Sequence, residues 1–455
     1  MSRPPNILLT IADDQRGTAL GCTGTESVIT PSLDRLAQRG TRFSQAQHFG
    51  SPHGAICAPS RAMLHTGMPY FQLPDELVCG HSDGNEVPLP ESLGGKLQEA
   101  GYNAFGTGKW HNGERFFNAS FSSGQNIFFG GMADHWFTPV HDHDPSGKYP
   151  SEKQRNADGF STEVFAQSAI DFIRSQKDND QPFFCYCAFT APHDPRTPPD
   201  HWRARYDPRD IELTPNMITS PRTGDTPSGV YPLSDNGALS IRDELLLGTP
   251  RDVSEIKRSI AEYYAMISDM DEWIGKIHEA LEEIGAFDNT IVIHTADHGL
   301  AVGQHGFMGK QNSYQHSLHV PLLMSGPGIP QNNVVDGLCY QHDLHPTIEA
   351  LAGLPAKSET FHSLQPMLEG KTGRSHLANA FSDTQRSIRD ERYKLIEYHI
   401  EDQRRTEMFD LQEDPWEMKD LSANNELQTI RESLQKELHS WQQKHGDQDW
   451  KANAV

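Results

Sequence analysis

Apolar residues follow two alternating rhythms along this chain. Short, nearly unbroken apolar runs at Asn6 to Ala12, Tyr102 to Thr107, Pro182 to Thr190 and Asn289 to Thr295 predict strands buried on both faces. From Val253 to Ile284 the period lengthens. Ile256, Ile260, Ile267, Met270, Ile274, Ile277, Leu281 and Ile284 fall three, four and seven apart, as on a helix with one buried stripe, and Gly285 follows as a C-cap. The segment ESLGGKLQEAG, ending at Gly101, predicts a further helix directly before the second strand. Strands alternating with helices in this way predict an α/β layer architecture.

Two stretches lack either rhythm. Phe121 to Asp158 is rich in Gly, His and Asp, and Pro195 to Pro250 is broken by prolines; both predict long loops over a rigid scaffold. From about Ser363 the pattern changes again. RSIRDERYKLIEYHI and TEMFDLQEDPWEMKDL predict short antiparallel strands, and Glu426 to His445 a terminal helix. The expected division is an N-terminal unit over residues 1–362 and a smaller C-terminal subdomain, with its own small antiparallel sheet, over 363–455.

The charge narrows the range of partners. Among 455 residues, 39 Lys and Arg face 62 Asp and Glu, a net charge of -23. Such a surface repels nucleic acid and anionic membranes, and no apolar stretch approaches the length of a membrane span, so neither is an expected partner. Any anion site must be locally positive. The start, MSRPPNILLTIADD, reads as a core strand and predicts a cytoplasmic protein; a trimmed signal peptide would leave the same start and mean the periplasm. The six cysteines are scattered, and Cys185 and Cys187, two apart on a predicted strand, read as small core residues.

Each of the four predicted strands runs directly into a polar cluster: Asp13-Asp14, Gly108-Lys109-Trp110-His111, Ala191-Pro192-His193 and Asp297-His298-Gly299. Ligands of open α/β sheets bind beyond the carboxyl ends of the strands, so these clusters are expected to converge. Asp13, Asp14 and Asp297 are hard oxygen donors suited to calcium or magnesium, while His298 either coordinates or holds the anion or a neighbouring carboxylate. Arg61, Lys109, His111, His193 and Lys310 supply local cations and hydrogen-bond donors in an otherwise acidic chain, a cage for a tetrahedral oxyanion. GAICAPSRAMLHTG predicts a loop, a helix starting at Pro59 and a stop at Gly67. The free amides of that helix start favour an anion beside Cys57, whose thiol is either an inert core group or, in that field, a nucleophile.

The segment Cys57-Ala58-Pro59-Ser60-Arg61 resembles the C-x-P-S-R signature of type I sulfatases, of the alkaline phosphatase superfamily. The resemblance extends in order through NILLTIADD, CAPSRAMLHTG, GTGKWH, APHDP, TADHG and MGKQNSYQHSLHVPLL to RYKLI and FDLQEDPWE. It implies a large mixed, mostly parallel central sheet flanked by helices. It also implies that Cys57 is oxidised to formylglycine by a formylglycine-generating enzyme and that Arg61 stabilises that residue. By the same resemblance Asp13, Asp14, Asp297 and His298 hold a divalent metal, usually calcium, with magnesium as the other candidate. Asn is common at the last of these positions; His298 is the variant of iduronate-2-sulfatase-like members. Lys109, His111, His193 and Lys310 match the remaining catalytic positions. The implied reaction is sulfate ester hydrolysis, with Lys109 and Lys310 neutralising the sulfuryl oxygens, His193 protonating the departing oxygen and His111 acting as base.

The C-terminal motifs are similar to those of bacterial carbohydrate sulfatases. In the loop MADHWFTPVHDHDPSGKYP, the residues His135, Trp136, His141 and His143 are the expected contacts to a sulfated oligo- or polysaccharide. The alternatives are a phosphonate monoester or phosphodiester hydrolase of the same superfamily, and a binding protein that retains the motif without turnover.

Overall fold

The computed structural model describes residues 3–80, 88–219, 247–248, 250–356, 358–400 and 403–447. Thirteen strands build the two sheets that frame the site. They are β1 (Asn6–Asp13), β2 (Thr41–Phe43), β3 (Gly50–Ser51), β4 (Asn103–Lys109), β5 (Ser123–Phe128), β6 (Phe183–Pro192), β7 (Thr290–Ala296), β8 (Leu322–Ser325), β9 (Asn333–Val335), β10 (Leu377–Phe381), β11 (Gln385–Arg389), β12 (Tyr393–Ile400) and β13 (Gln403–Asp410). Eight of them form the central sheet in the order β9-β2-β8-β7-β1-β6-β4-β5. All neighbours run parallel except β8, which is antiparallel to both β7 and β2. Every residue of β1, β6 and β7 is buried, as expected for parallel strands covered on both faces, and this is why they read as apolar runs.

Four helices bear on the site and its supports: α1 (Cys57–Thr66), α2 (Ser161–Ser175), α3 (Val253–Glu283) and α4 (Gln428–His445). At the start of α3 the Asp252 carboxylate accepts the amides of Ser254 and Glu255, an N-cap at the foot of the periodic apolar stripe. No helix among the described residues is long and apolar enough to cross a membrane.

The C-terminal sheet has the order β13-β12-β11-β10-β3. Leu434 and Leu438 of α4 pack on Ala378, Ile388, Leu395 and Met408 across one of its faces. Its edge strand β3 comes from the N-terminal part of the chain and pairs parallel to β10, Gly50 with Ala380 and Ser51 with Phe381.

Two sequence expectations need correction. The stretch Phe121 to Asp158 is not all loop, because Ser123–Phe128 forms β5 at the sheet edge. Only Asn126, Ile127 and Phe128 are buried there, so the polar first half hides the apolar signal. The second concerns α1, which begins at Cys57 and not at Pro59. The Ser60 amide makes the first intrahelical bond, to Ile56 O at 3.1 Å; residues before it need no N–H, so a proline is tolerated at the third position. The loop expected over Pro195 to Pro250 lies partly, at 220–246 and 249, outside the described residues.

Candidate active site

The carboxyl ends of β1, β4, β6 and β7 meet at the first turn of α1. Asp13 closes β1, and Asp14 follows with a left-handed backbone, φ 76°. The Asp297 carboxylate beyond β7 accepts the amides of Asp14 and His298 at 3.2 and 3.0 Å, and Tyr263 on α3 donates its hydroxyl to Asp14 O at 2.8 Å. These bonds hold a conformation that only surrounding structure makes tolerable for a residue with a Cβ.

Cys57 is the first residue of α1 and is 3% exposed. Its Sγ lies 3.4 Å from Asp13 Oδ1, 3.3 Å from His298 Nε2 and 3.4 Å from Lys310 Nζ. Lys109 Nζ donates to Asp13 Oδ2, and Lys310 Nζ to Asp14 Oδ1 at 2.8 Å. Arg61, one turn after Cys57, turns inward: Nε reaches Asp297 Oδ2 at 3.0 Å, and Nη1 donates to Lys109 O at 2.8 Å and to the Tyr186 hydroxyl at 3.1 Å. The hydroxyl of Ser60 donates to Asp297 O at 2.6 Å, tying α1 to the end of β7.

Such dense pairing of buried charge shifts the acids and bases. Burial works against ionisation of Asp13, but the Lys109 ammonium, helped by His193, Lys310 and Arg61, holds its carboxyl well below the usual range. Asp14 is raised, because burial and the Asp13 charge outweigh Lys310 and His298. His298, despite burial and Lys310, is held well above its ordinary value by the carboxylates of Asp297 and Asp14, the latter 3.0 Å from Nε2. His111 and His193 are both pushed well below theirs. The cause is burial first, then Lys109 for His111 and Lys310 for His193.

The donor set fits a divalent cation. Asp13, Asp297, His298 and Cys57 each offer a ligand atom within 4.8 Å of the others, as do Asp13, Asp14, Cys57 and His193. Asp14 Oδ2 is buried without a hydrogen-bond partner, an unspent hard oxygen pointing to an electrophile of that kind.

His111 has a left-handed backbone, φ 65°, and a ring wedged between two glycines: a Cβ on Gly80 would stand 2.8 Å from its Cδ2, and one on Gly131 2.7 Å from its Nε2. His193 follows β6 with Nε2 3.8 Å from Asp14 Oδ2. The structure thus brings together Asp13, Asp14, Cys57, Arg61, Lys109, His193, Asp297, His298 and Lys310, with His111 next to them beyond β4.

The four residues expected to contact a sugar separate. Trp136 is 42% exposed, and its indole N–H donates to Thr197 O at 3.1 Å. His135 is buried, with Nε2 bonded to His193 O at 2.9 Å and Nδ1 to Ser161 Oγ at 2.9 Å, so it supports the His193 backbone and has no nitrogen left for a ligand. His141 pairs with Ile127 along β5 and packs its buried ring on Phe129 and Tyr149. His143 is bonded through its amide to Gly124 O, at the amino end of β5 and away from the Lys109 end of the sheet. For His135 and His141, whose buried rings are occupied within the fold, the sugar-contact expectation is therefore corrected.

Sequence reasoning also missed two supports. Tyr186 faces Arg61, and the alternation that turns Cys185 and Cys187 to one side of β6 already assigns Tyr186 to the other. Asn112 donates its amide to Ala58 O and Leu77 O at 2.8 and 2.7 Å, clamping the first turn of α1; a polar residue after a glycine-rich strand end gives no such signal in sequence.

Residues 5–354 match the family Sulfatase, and residues 303–444 match the family N-sulphoglucosamine sulphohydrolase, C-terminal. The chain is similar to an N-acetylglucosamine-6-O-sulfatase of Bacteroides thetaiotaomicron, 26% identical over 98% of this chain and 88% of that one. Among solved structures it is similar to BT4656 in complex with its substrate D-glucosamine-2-N,6-O-disulfate, with a TM-score of 0.79 and 23% identity over 99% of this chain and 100% of that one. A phosphonate monoester hydrolase of Agrobacterium radiobacter shares the fold at a TM-score of 0.74, with 24% identity over 97% and 96% of the two chains.

Proposed function

The chain belongs to the sulfatase family, a sulfuric ester hydrolase, and from that premise we propose that it removes sulfate from a sulfated carbohydrate, with Cys57 matured to formylglycine and calcium as the metal. The observation that carries the reading is Lys310 against residue 57 at the open end of α1, with Lys109 and His193 held beside it on Asp13 and Asp14. Asp13, Asp14, Asp297 and His298 are the residues that would hold the cation. When bound, it polarises the sulfuryl oxygens and offsets their charge. The hydrated aldehyde at residue 57 supplies the nucleophilic oxygen in place of the thiol.

The remaining work falls to the chain itself. Three carboxylates, Asp13, Asp14 and Asp297, face three permanent cations, Arg61, Lys109 and Lys310, so a divalent ion leaves the site with positive charge to spare for an anionic ester. Lys109 and Lys310, already desolvated, need little rearrangement to donate to the sulfuryl oxygens. His193 is neutral without ligand; the incoming sulfate charge offsets Lys310 and favours the proton that its Nε2 hands to the departing sugar oxygen. His111, held neutral, takes a proton from the group at residue 57 and so helps sulfate leave.

The carbohydrate class is supported by the similar N-acetylglucosamine-6-O-sulfatase and by the exposed Trp136 beside Thr197, an aromatic face suited to a sugar ring. The test is sulfate release from a panel of sulfated sugars, an aryl sulfate and a phosphodiester, with enzyme co-expressed with a formylglycine-generating enzyme. Sulfate from sugar esters is the expected result. Phosphodiester cleavage without sulfate release overturns the reading.

A further inference from the structure

The loop from Phe129 to Phe137 links the two proton-handling histidines. Gly131 lies flat against the His111 ring, close enough that a Cβ there would stand 2.7 Å from both Cε1 and Nε2. Four residues on, His135 is bonded to His193 O, and the Trp136 indole donates to Thr197 O. The loop therefore crosses the mouth of the site from base to acid. Its large apolar side chains stand in solvent, Met132 50% exposed, Trp136 42% and Phe137 65%, beside the exposed carboxylate of Asp134.

Beside the residue that anchors Trp136 stands an unspent cation. The Nε and Nη2 of Arg196 are both buried, and neither has a hydrogen-bond partner. The same is true of Thr197 Oγ1. The field of Arg196 reaches Glu262 on α3, but burial raises that carboxyl, and no carboxylate among the described residues comes within ion-pairing distance of Arg196. The fully buried guanidiniums near the site, by contrast, are spent, Arg61 on Asp297 and Arg16 on Glu26. The guanidinium is part-exposed as a whole, and two N–H groups without partners suit a planar or tetrahedral oxyanion at its open edge.

We propose that Arg196, with the Trp136 and Phe137 faces, forms the leaving-group subsite and reads a second anionic group on the substrate. That group is a carboxylate or a further sulfate, carried by the sugar that departs or by its neighbour. The substrate class is then a polyanionic sugar, a disulfated hexosamine or a sulfated sugar linked to a uronate, and not a monosulfated neutral glycan. Placement on the His193 side follows from chemistry, since the acid stands where the sugar oxygen leaves. This inference rests on the sulfatase reading.

The experiment compares matured wild type with Arg196→Gln and Arg196→Lys. It measures kcat/KM on four esters: an aryl sulfate, a monosulfated hexosamine, a disulfated hexosamine and a sulfated disaccharide containing a uronate. Thermal unfolding of each variant checks the fold, and Arg196→Lys keeps the charge if the amide variant unfolds. Arg196→Gln should lower kcat/KM on one of the doubly anionic esters at least about 10-fold more than on the monosulfated one, with partial recovery in Arg196→Lys. Which doubly anionic ester responds separates carboxylate from sulfate. An equal loss on all four esters, or no loss, overturns the subsite while the sulfatase reading stands. Wild type inert towards every ester overturns both.

Discussion

The floor of this cleft and its rim hold their side chains by different means. On the floor, Asp13, Lys109, Arg61, Asp297 and Lys310 are almost wholly buried, and each is fixed by at least one ion pair to another member of the site. On the rim, Met132, Trp136 and Phe137 stand in solvent on a loop fixed mainly by its glycine and its histidine, and Arg196 has no counter-ion among the described residues. The floor can bind one small oxyanion in one orientation. The rim presents apolar faces on an exposed loop, and its one cation, Arg196, is not tied up in an ion pair among the described residues as the floor's are. Chemistry is set where burial over-determines geometry, and selectivity where the protein leaves groups unsatisfied.

This contrast can be broken most directly at residue 57. Cys57→Ala should abolish sulfate release by about 10⁴-fold or more, because the nucleophile and everything aimed at it become idle. Activity near wild type would mean that the floor does not carry the chemistry. Next in size is Asp297→Ala, which strands Arg61 without its counter-charge. It should lower stability by about 3–5 kcal/mol, read as a fall in Tm, as well as activity. An unchanged Tm would show that the buried pairs are not what fixes the floor.

A sharper test separates the acid from its setting. His193→Gln should cost about 10²–10⁴-fold on a sugar sulfate but far less on an aryl sulfate whose phenolate leaves unaided. Equal losses would remove His193 from the acid role. Smaller again is Gly131→Ala, whose methyl meets the His111 ring and forces it or the loop to shift; about a 10-fold loss is expected by assay.

The pH profile refines the same boundary. The protonated, inactive form of His111 accumulates only below its lowered value, so the acid limb of kcat/KM that belongs to it should lie below about pH 6.5 and vanish in His111→Gln. Buried His65, His294 and His342 are each pushed down to about 3. Their unfolded counterparts take up protons first as pH falls, so stability should decline from about pH 6.5 downward, seen as a falling Tm.

Much of the floor was legible because strands buried on both faces announce themselves, and because each of them runs straight into polar residues. Asp13, Lys109, His193 and Asp297 could be aligned as four strand ends before any geometry was known. The rim was less legible. His141 and His143 look like ligand contacts in a row of His and Asp, yet whether such a residue faces a cleft or lies along β5 depends on an edge strand whose first half is polar. His135 failed for another reason: its partner is a backbone carbonyl fifty-eight positions away, a contact with no trace in local pattern. Arg196 drew no notice because a lone arginine beside a proline normally reads as solvated surface, and only its missing partners distinguish it. The start of α1 slipped by two residues because proline rules bound where a helix cannot continue, not where it must begin.

The short strand β3 gives the molecule a dependence of a different kind. It lies six residues ahead of Cys57, and its neighbour in the sheet, β10, comes from the far end of the chain. The C-terminal sheet is therefore no interchangeable cassette. Grafting in the equivalent part of a relative replaces the partner of the strand that leads into the reactive loop, so a graft meant to alter the rim also disturbs the floor. The same tie orders assembly. A chain still being synthesised cannot pair Gly50 and Ser51 until Phe381 has emerged, and the approach to its reactive residue is among the last parts of the fold to be secured.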